Sequence, residues 1–272
     1  MRFTLTALLW LFTTVTLAVA VPTAWTQTHV VDVTGYEALA RRAAGDPELQ
    51  AAVASELATR ATVLINQRGY RVDSERVHGV AADYTAGPDF PSQFADANRL
   101  AHDWMFTGAH AQSEGDQWVV DLAGMLKDSA FASLLAAYHV QVPDTVRVPV
   151  TVSTPKALQP GELRLLARWG PWVTIGALLT LAVARRRGRA LAGLGISALL
   201  VGAAGRVGIE VARRAINDRL NDTTGDIRRI ADVMVGQARG SLHHWLDLTL
   251  AAGGALMVLG VSAALLGSLR RS

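Results

Sequence analysis

Leu246 to Leu269 reads LDLTLAAGGALMVLGVSAALLGSL, an apolar run of the length that a helix needs to cross a bilayer. At about 1.5 Å of rise per residue it covers the roughly 30 Å of a hydrocarbon core. Three more such runs lie upstream, at Phe3 to Val21, Leu165 to Ala184 and Ala190 to about Ile209. The first is preceded only by Arg2 and followed by Pro22 and Trp25. Ala18 to Ala20 supplies an Ala-x-Ala triplet, but the run exceeds a usual signal-peptide h-region and its n-region has one charge. We read it as an uncleaved anchor.

Four spans put both ends of the chain on one side, and arginine chooses the side. Arg185, Arg186, Arg187 and Arg189 fill the short turn after the second run with no acid among them, and Arg270 and Arg271 end the sequence. Arg-rich short loops stay cytoplasmic, so both termini are expected in the cytoplasm and residues 26–160 outside it. Trp25, Trp169, Trp172 and Trp245 fall at run ends that this topology places on the outer face, where interfacial tryptophan belongs.

One stretch runs against the rule. Residues 210–245, placed outside, carry Arg213, Arg214, Arg219, Arg228, Arg229 and Arg239, offset in part by Glu210, Asp218, Asp222, Asp226 and Asp232. The stretch reads as an amphipathic helical hairpin. Val211, Ile216 and Leu220 form one apolar arm, Ile227, Ile230, Val233 and Met234 the other, with a break near Thr223, Thr224 and Gly225. It is expected on the bilayer surface or under the outer lobe.

Composition agrees with a membrane class: 272 residues, half of them apolar, and a positive mean hydropathy. Residues 26–160 hold 10 basic and 16 acidic side chains, whereas the remainder hold 16 and 7. The arginines therefore cluster beside the apolar runs, which points to lipid headgroups and topology and gives no reason to invoke nucleic acid. With no cysteine in the chain, disulfides, thiolate metal sites and Cys nucleophiles are excluded. Small residues, including Gly193, Gly195, Gly202, Gly205, Gly253, Gly254 and Gly260, let helix backbones approach, in a compact bundle or an oligomer seam.

In the outer lobe, Asp46 and Pro47 are an N-cap and first-turn pair, followed on one helical face by Leu49, Val53, Leu57, Ala61, Leu64 and Ile65. A helix is expected from 47 to about 67. Others are expected near 74–84, through Val77, Val80, Ala81 and Tyr84, and at 91–106, through Phe94, Ala97, Ala101, Trp104 and Met105. Gln117 to Leu122 reads as a strand, Ala123 to Tyr138 as a helix, and Val146, Val148, Val150 and Val152 alternate as a second strand. Prolines 143, 149, 155 and 160 mark that strand as an edge and residues 153–162 as a linker. The expected fold is thus membrane α-helical, with four transmembrane helices and a mostly helical α+β extracytoplasmic lobe between the first two. Its parts are an anchor at 1–25, the lobe at 26–160, and three spans within 161–272 with the hairpin at about 210–245.

Tyr36 to Gln50 (YEALARRAAGDPELQ), Phe90 to Phe106 (FPSQFADANRLAHDWMF), Gln117 to Leu126 (QWVVDLAGML) and Asn217 to Met234 carry a resemblance across nearly the whole chain. In these segments the sequence resembles uncharacterised four-span integral membrane proteins of mycobacteria and related actinobacteria. The resemblance implies an architecture and a cell type. It implies no activity, ligand or catalytic residue.

Three polar groups are candidates for chemistry. Asn98, His102 and Asp103 lie on the third lobe helix, with Asn98 and His102 four apart on one face, and His110 could join them in a metal or proton-transfer site. The competing account is that Asn98 sits on the apolar face with Phe94, Ala101 and Met105 and hydrogen-bonds His102 or a loop carbonyl. His243 and His244 beside Trp245 could sense acidification or bind a metal, but adjacent helical residues do not share a face. Arg206 and Glu210, at i and i+4 near a span end, mark either a functional pair or a snorkelling interfacial one.

No P-loop, dinucleotide fingerprint, His-Glu-x-x-His or Gly-x-Ser-x-Gly occurs, and no cofactor is implied. The leading expectation is a non-catalytic cell-envelope membrane protein whose acidic lobe docks another envelope component, as a scaffold or accessory subunit. Its partners would be membrane lipids and another envelope membrane protein, or a second copy through the Gly-rich helices. The alternatives are a lipid or small-molecule sensor, with a groove lined by Phe94, Trp104, Met105, Phe131 and Tyr138, and a hydrolytic enzyme of unrecognised type, with Asn98, His102 and Asp103 in an open cleft.

Overall fold

The computed structural model describes residues 2–107, 119–149, 175, 187–220 and 225–269, which form two compact units. A lobe comprises 29–107, 119–149, 216–220 and 225–238 of these residues, and a helical unit comprises 2–28, 175, 187–215 and 239–269. Apart from Ile175, the expected span Leu165 to Ala184 lies outside the described residues. So do Arg185, Arg186, Trp169, Trp172, His110, the 153–162 linker and the terminal arginines.

The lobe is built from capped helices. The expected helices are present as α3 (Pro47–Gln67), α4 (Ser74–Thr85) and α5 (Phe90–Thr107). Asp46 accepts from the Glu48 amide at 2.9 Å and Asp73 from the Glu75 amide at 3.0 Å, caps each worth about 1 kcal/mol. Before them runs α2 (Val33–Ala43), which the periodicity reading did not include. Asp32 caps it by accepting from the Gly35 amide at 2.9 Å, and Tyr36, Leu39, Ala40 and Ala43 form its buried face. The pattern i, i+3, i+4, i+7 behind an Asp was present in the sequence.

The helix expected over 123–138 is two, α6 (Ala123–Leu126) and α7 (Ser129–Ala137). Asp128 interrupts it. Its carboxylate accepts from the Ala130 amide at 2.9 Å, starting a new helix, and from the Gln93 side-chain amide at 2.8 Å. Tyr84 in turn donates to Gln93 Oε1 at 2.7 Å, so α4, α5 and α7 share one polar chain. Those donors, the Ala130 amide foremost, hold the Asp128 carboxyl below its ordinary range.

Strand β1 (Val119–Asp121) pairs antiparallel with β2 (Arg147–Pro149), Val120 opposite Val148. Asp121 fixes both ends by accepting from the Ala123 amide at 2.9 Å and the Val146 amide at 2.8 Å. The core gathers Leu49, Leu57, Ile65, Phe90, Phe131 and Leu135, all below 2% exposed. Tyr84 meets Phe90 and Phe131 edge-on at 5.8 and 5.5 Å, contacts worth about 1 kcal/mol each beyond burial. Ile227, Ile230, Val233 and Met234, from the stretch expected as a hairpin arm, pack against this core.

The other unit holds three long helices: α1 (Arg2–Thr26), most of α8 (Arg187–Leu220) and α9 from residue 239 onward, within Gly225–Leu269. The expected spans and hairpin arms are continuous helices rather than separate pieces. No proline interrupts 209–220 or 225–246, so nothing stops either helix. Gly225, with φ of +65°, opens α9 in the left-handed conformation that glycine tolerates, and residues 221–224 lie outside the described residues.

Glycine brings α8 against α9. Gly188, Gly195 and Gly202, seven apart, lie along Gly260, Gly253 and Leu246, also seven apart. A Cβ on Gly195 would stand 2.6 Å from the Gly253 carbonyl oxygen and from the Met257 nitrogen. Backbone cannot yield to that contact, so only glycine permits the approach. Part of the glycine pattern is therefore used within the chain. The α1 helix joins the pair through polar stitches: Trp10 Nε1 donates to the Gly193 carbonyl at 2.8 Å and the Thr14 hydroxyl bonds Ser197 Oγ at 2.7 Å.

The outward faces are apolar. Leu8, Leu11 and Val15 on α1, Leu200 and Val207 on α8, and Val258 on α9 are each at least half exposed. Among the described residues, two segments are long and apolar enough to cross a membrane, Ala190–Val211 and Gly225–Leu266.

Candidate functional site

Helix α5 places Asn98 and His102 on the face that meets α2, and both are buried, at 7% and 4% exposure. Asn98 Nδ2 donates back to the Phe94 carbonyl at 2.9 Å. His102 Nε2 lies 3.0 Å from the Val30 carbonyl oxygen and 3.1 Å from that of Val31. Carbonyls only accept, so Nε2 carries a proton and donates to them.

Those carbonyls end a π-helical turn, Gln27–Val31, just before α2, where a helix leaves its last acceptors without backbone donors. His102 supplies the donor. The Tyr36 ring from α2 lies 5.1 Å from the imidazole, tilted by 42°, and burial pushes its phenol up to about 12, which keeps it neutral at physiological pH. Asp103, exposed, stands 3.9 Å from His102 Nδ1, and Arg99 pairs with Glu37 across the same helices at 3.5 Å.

The chemistry open to this cluster follows from its geometry. Nε2 is committed to two carbonyls, the ring is enclosed, and Asn98 is turned toward its own helix. That arrangement fastens α5 to the chain entering α2. Asn98 is buried and hydrogen-bonded, but its partner is the Phe94 carbonyl of its own helix rather than His102 or a loop carbonyl. Of the groove residues, Phe94 and Phe131 are buried in the core and Tyr138 packs against it, while the side chains of Trp104 and Met105 lie outside the described residues.

No group of three or more His, Asp or Glu side chains among the described residues could hold a metal ion. His243 is half-buried and His244 exposed on α9, as expected of helical neighbours that face different ways. A lobe cavity of about 240 Å³ is lined by Asp46, Glu48, Asp232 and Gln237 among others. Two of its three acids are already engaged, Asp46 with the Glu48 amide and Asp232 with Arg228 at 3.0 Å.

Arg206 and Glu210 do not pair with each other. Arg206 bridges from α8 to Asp247 on α9, and Glu210 instead takes Arg213, three residues on, at 2.7 Å. The i, i+4 reading considered one helix alone; the glycine seam brings a carboxylate from the second helix into competition, and Arg213 reaches Glu210 with two nitrogens. Asp247 went unread because it sits one residue inside an apolar run.

No protein-family model, curated protein or solved structure matches the chain.

Proposed function

We propose that the chain is an integral membrane protein with four spans, α1, Leu165 to Ala184, and the apolar parts of α8 and α9, with both termini cytoplasmic. The lobe lies outside the cytoplasm. Its role is non-catalytic: it presents a folded surface that docks another component of the cell envelope.

The observation that carries this reading is the contrast in where apolar surface goes. The lobe encloses Tyr84, Phe90, Phe94 and Phe131, whereas Leu200, Val207 and Val258 face outward at 50%, 67% and 65% exposure. In water each such side chain would carry about 2 kcal/mol of unfavourable hydration, and hydrocarbon removes it. A lobe with a filled core and a committed histidine offers its outer surface rather than a reaction centre.

Two measurements test the reading. Single cysteines at Asp83 and Ser272, in a chain that has none, should differ: an impermeant maleimide should label the first and spare the second in intact cells. The reverse pattern, or labelling of both, overturns the topology. Photo-crosslinkers on the lobe surface should then capture one recurrent envelope neighbour, and a chain that remains uncrosslinked at every position overturns the docking role.

A further inference from the structure

We infer that Arg214 and Arg239, at the end of the α8–α9 pair where Trp25 and Trp245 lie, hold the phosphate-bearing headgroup of an anionic phospholipid. The inference rests on the membrane reading above. It begins from the six arginines that break the positive-inside rule.

In the lobe, Arg228 takes Asp232 at 3.0 Å and Arg229 takes Asp226 at 3.2 Å. In the helical unit, Arg213 is engaged by Glu210 and Arg206 by Asp247. Arg219's side chain lies outside the described residues. Arg214 and Arg239 are left. Arg214 is 75% exposed and reaches no closer than 4.0 Å to Glu210, which Arg213 already holds. Arg239 is exposed, close enough to act on the same carboxylate electrostatically, yet no ion pair forms to it among the described residues. Among the described side chains of the helical unit at this end, four arginines, 206, 213, 214 and 239, thus stand against two carboxylates, Glu210 and Asp247.

What lies beside those arginines separates a lipid from a free anion. Val207, Val211 and Arg214 follow at i, i+4 and i+7 and so share one face of α8. Val207 and Val211 are 67% and 63% exposed. That face of α8 therefore runs from an apolar wall into the Arg214 guanidinium, the order in which a phospholipid presents acyl chain and phosphate, and Arg239 from α9 acts on the same Glu210 carboxylate. Guanidinium also matches phosphate with two parallel hydrogen bonds. A free phosphate would use the cations and ignore the wall.

The test uses the full chain. Flotation with neutral phosphatidylcholine vesicles comes first, and protein left in the aqueous fraction overturns the membrane reading and this proposal together. Protein that floats is then offered equal phosphatidylcholine and phosphatidylglycerol in mild detergent, and retained lipid is counted by native mass spectrometry. The wild type should retain phosphatidylglycerol preferentially, and R214Q and R239Q should each reduce that preference about fivefold. Exposed lobe arginines changed as a charge-matched control, R71Q with R76Q, should leave it unchanged. Equal loss in the control, or a preference that survives R214Q/R239Q, overturns the proposal. Displacement of the lipid by added glycerol phosphate would assign the arginines to a free phosphate and also overturn it.

Discussion

The lobe and the α8–α9 pair solve the same packing problem with opposite residues. In the lobe, Phe90, Phe94, Phe131 and Tyr84 interlock as rings, and Asp32, Asp46, Asp73 and Asp128 start helices by capping. Between α8 and α9 the contact is glycine on backbone, with leucines filling the gaps and large apolar side chains turned outward. Water rewards hiding apolar area, so the lobe stacks volume inside. On the membrane reading proposed above, lipid is as apolar as leucine and gives no such reward, so close approach of backbones is what remains to hold α8 and α9 together.

Substitutions that tax one strategy should spare the other, with amide hydrogen exchange in mild detergent reporting both regions at once. Phe131→Ala should have the largest effect, about 4 kcal/mol, seen as lost protection through α3 to α7 while α8 and α9 keep theirs. Next, Gly195→Leu should cost about 2 kcal/mol or more in the opposite place, raising exchange across α8 and α9 and leaving the lobe protected. Equal losses in both regions from either change would break the comparison.

Smaller effects sharpen it. Asp128→Ala should cost about 1 kcal/mol at neutral pH, confined to the lobe. Because Asp128 is held below the ordinary carboxylate range, its contribution is present above that range and disappears as pH falls through the depressed folded value; the variant's acid melting limb should therefore be flatter. Tyr36 acts at the other end: its stability is complete below its ordinary value of 10.0 and is lost as pH rises through about 12, and Tyr36→Phe should remove that alkaline limb. Smallest of all, Asp247→Asn should shift α8–α9 protection by only about 0.5 kcal/mol, since both partners of its ion pair are half exposed.

Much of this was legible because the signals were local. An Asp before a proline and a 3.6-residue apolar period placed α3 without further information, and the valine alternation meets β2 at Val148, with Val150 and Val152 outside the described residues. Asp128 was read through because Leu126, Leu134 and Leu135 keep helical phase on both sides of it, so periodicity alone could not see the cap. The polar groups were harder still. His102 could be flagged as needing a partner, but the carbonyls of Val30 and Val31 are some seventy residues away and carry no side-chain signal. Asp247 could not be matched to Arg206 until the antiparallel pairing of two helices was known.

The seven-residue recurrence of the glycine seam has a cost of its own. If α8 slipped along α9 by one repeat, about 10 Å, Gly195 would still find a small partner or a leucine gap, because the pattern is nearly the same one repeat away. The glycines specify closeness and are almost silent about alignment. Arg206 and Asp247 are not repeated, and a slipped pairing would separate them and leave each charge unmatched against apolar neighbours. An ion pair that adds little energy to the correct alignment thus acts as its address label, rejecting mis-registered copies as the helices first meet.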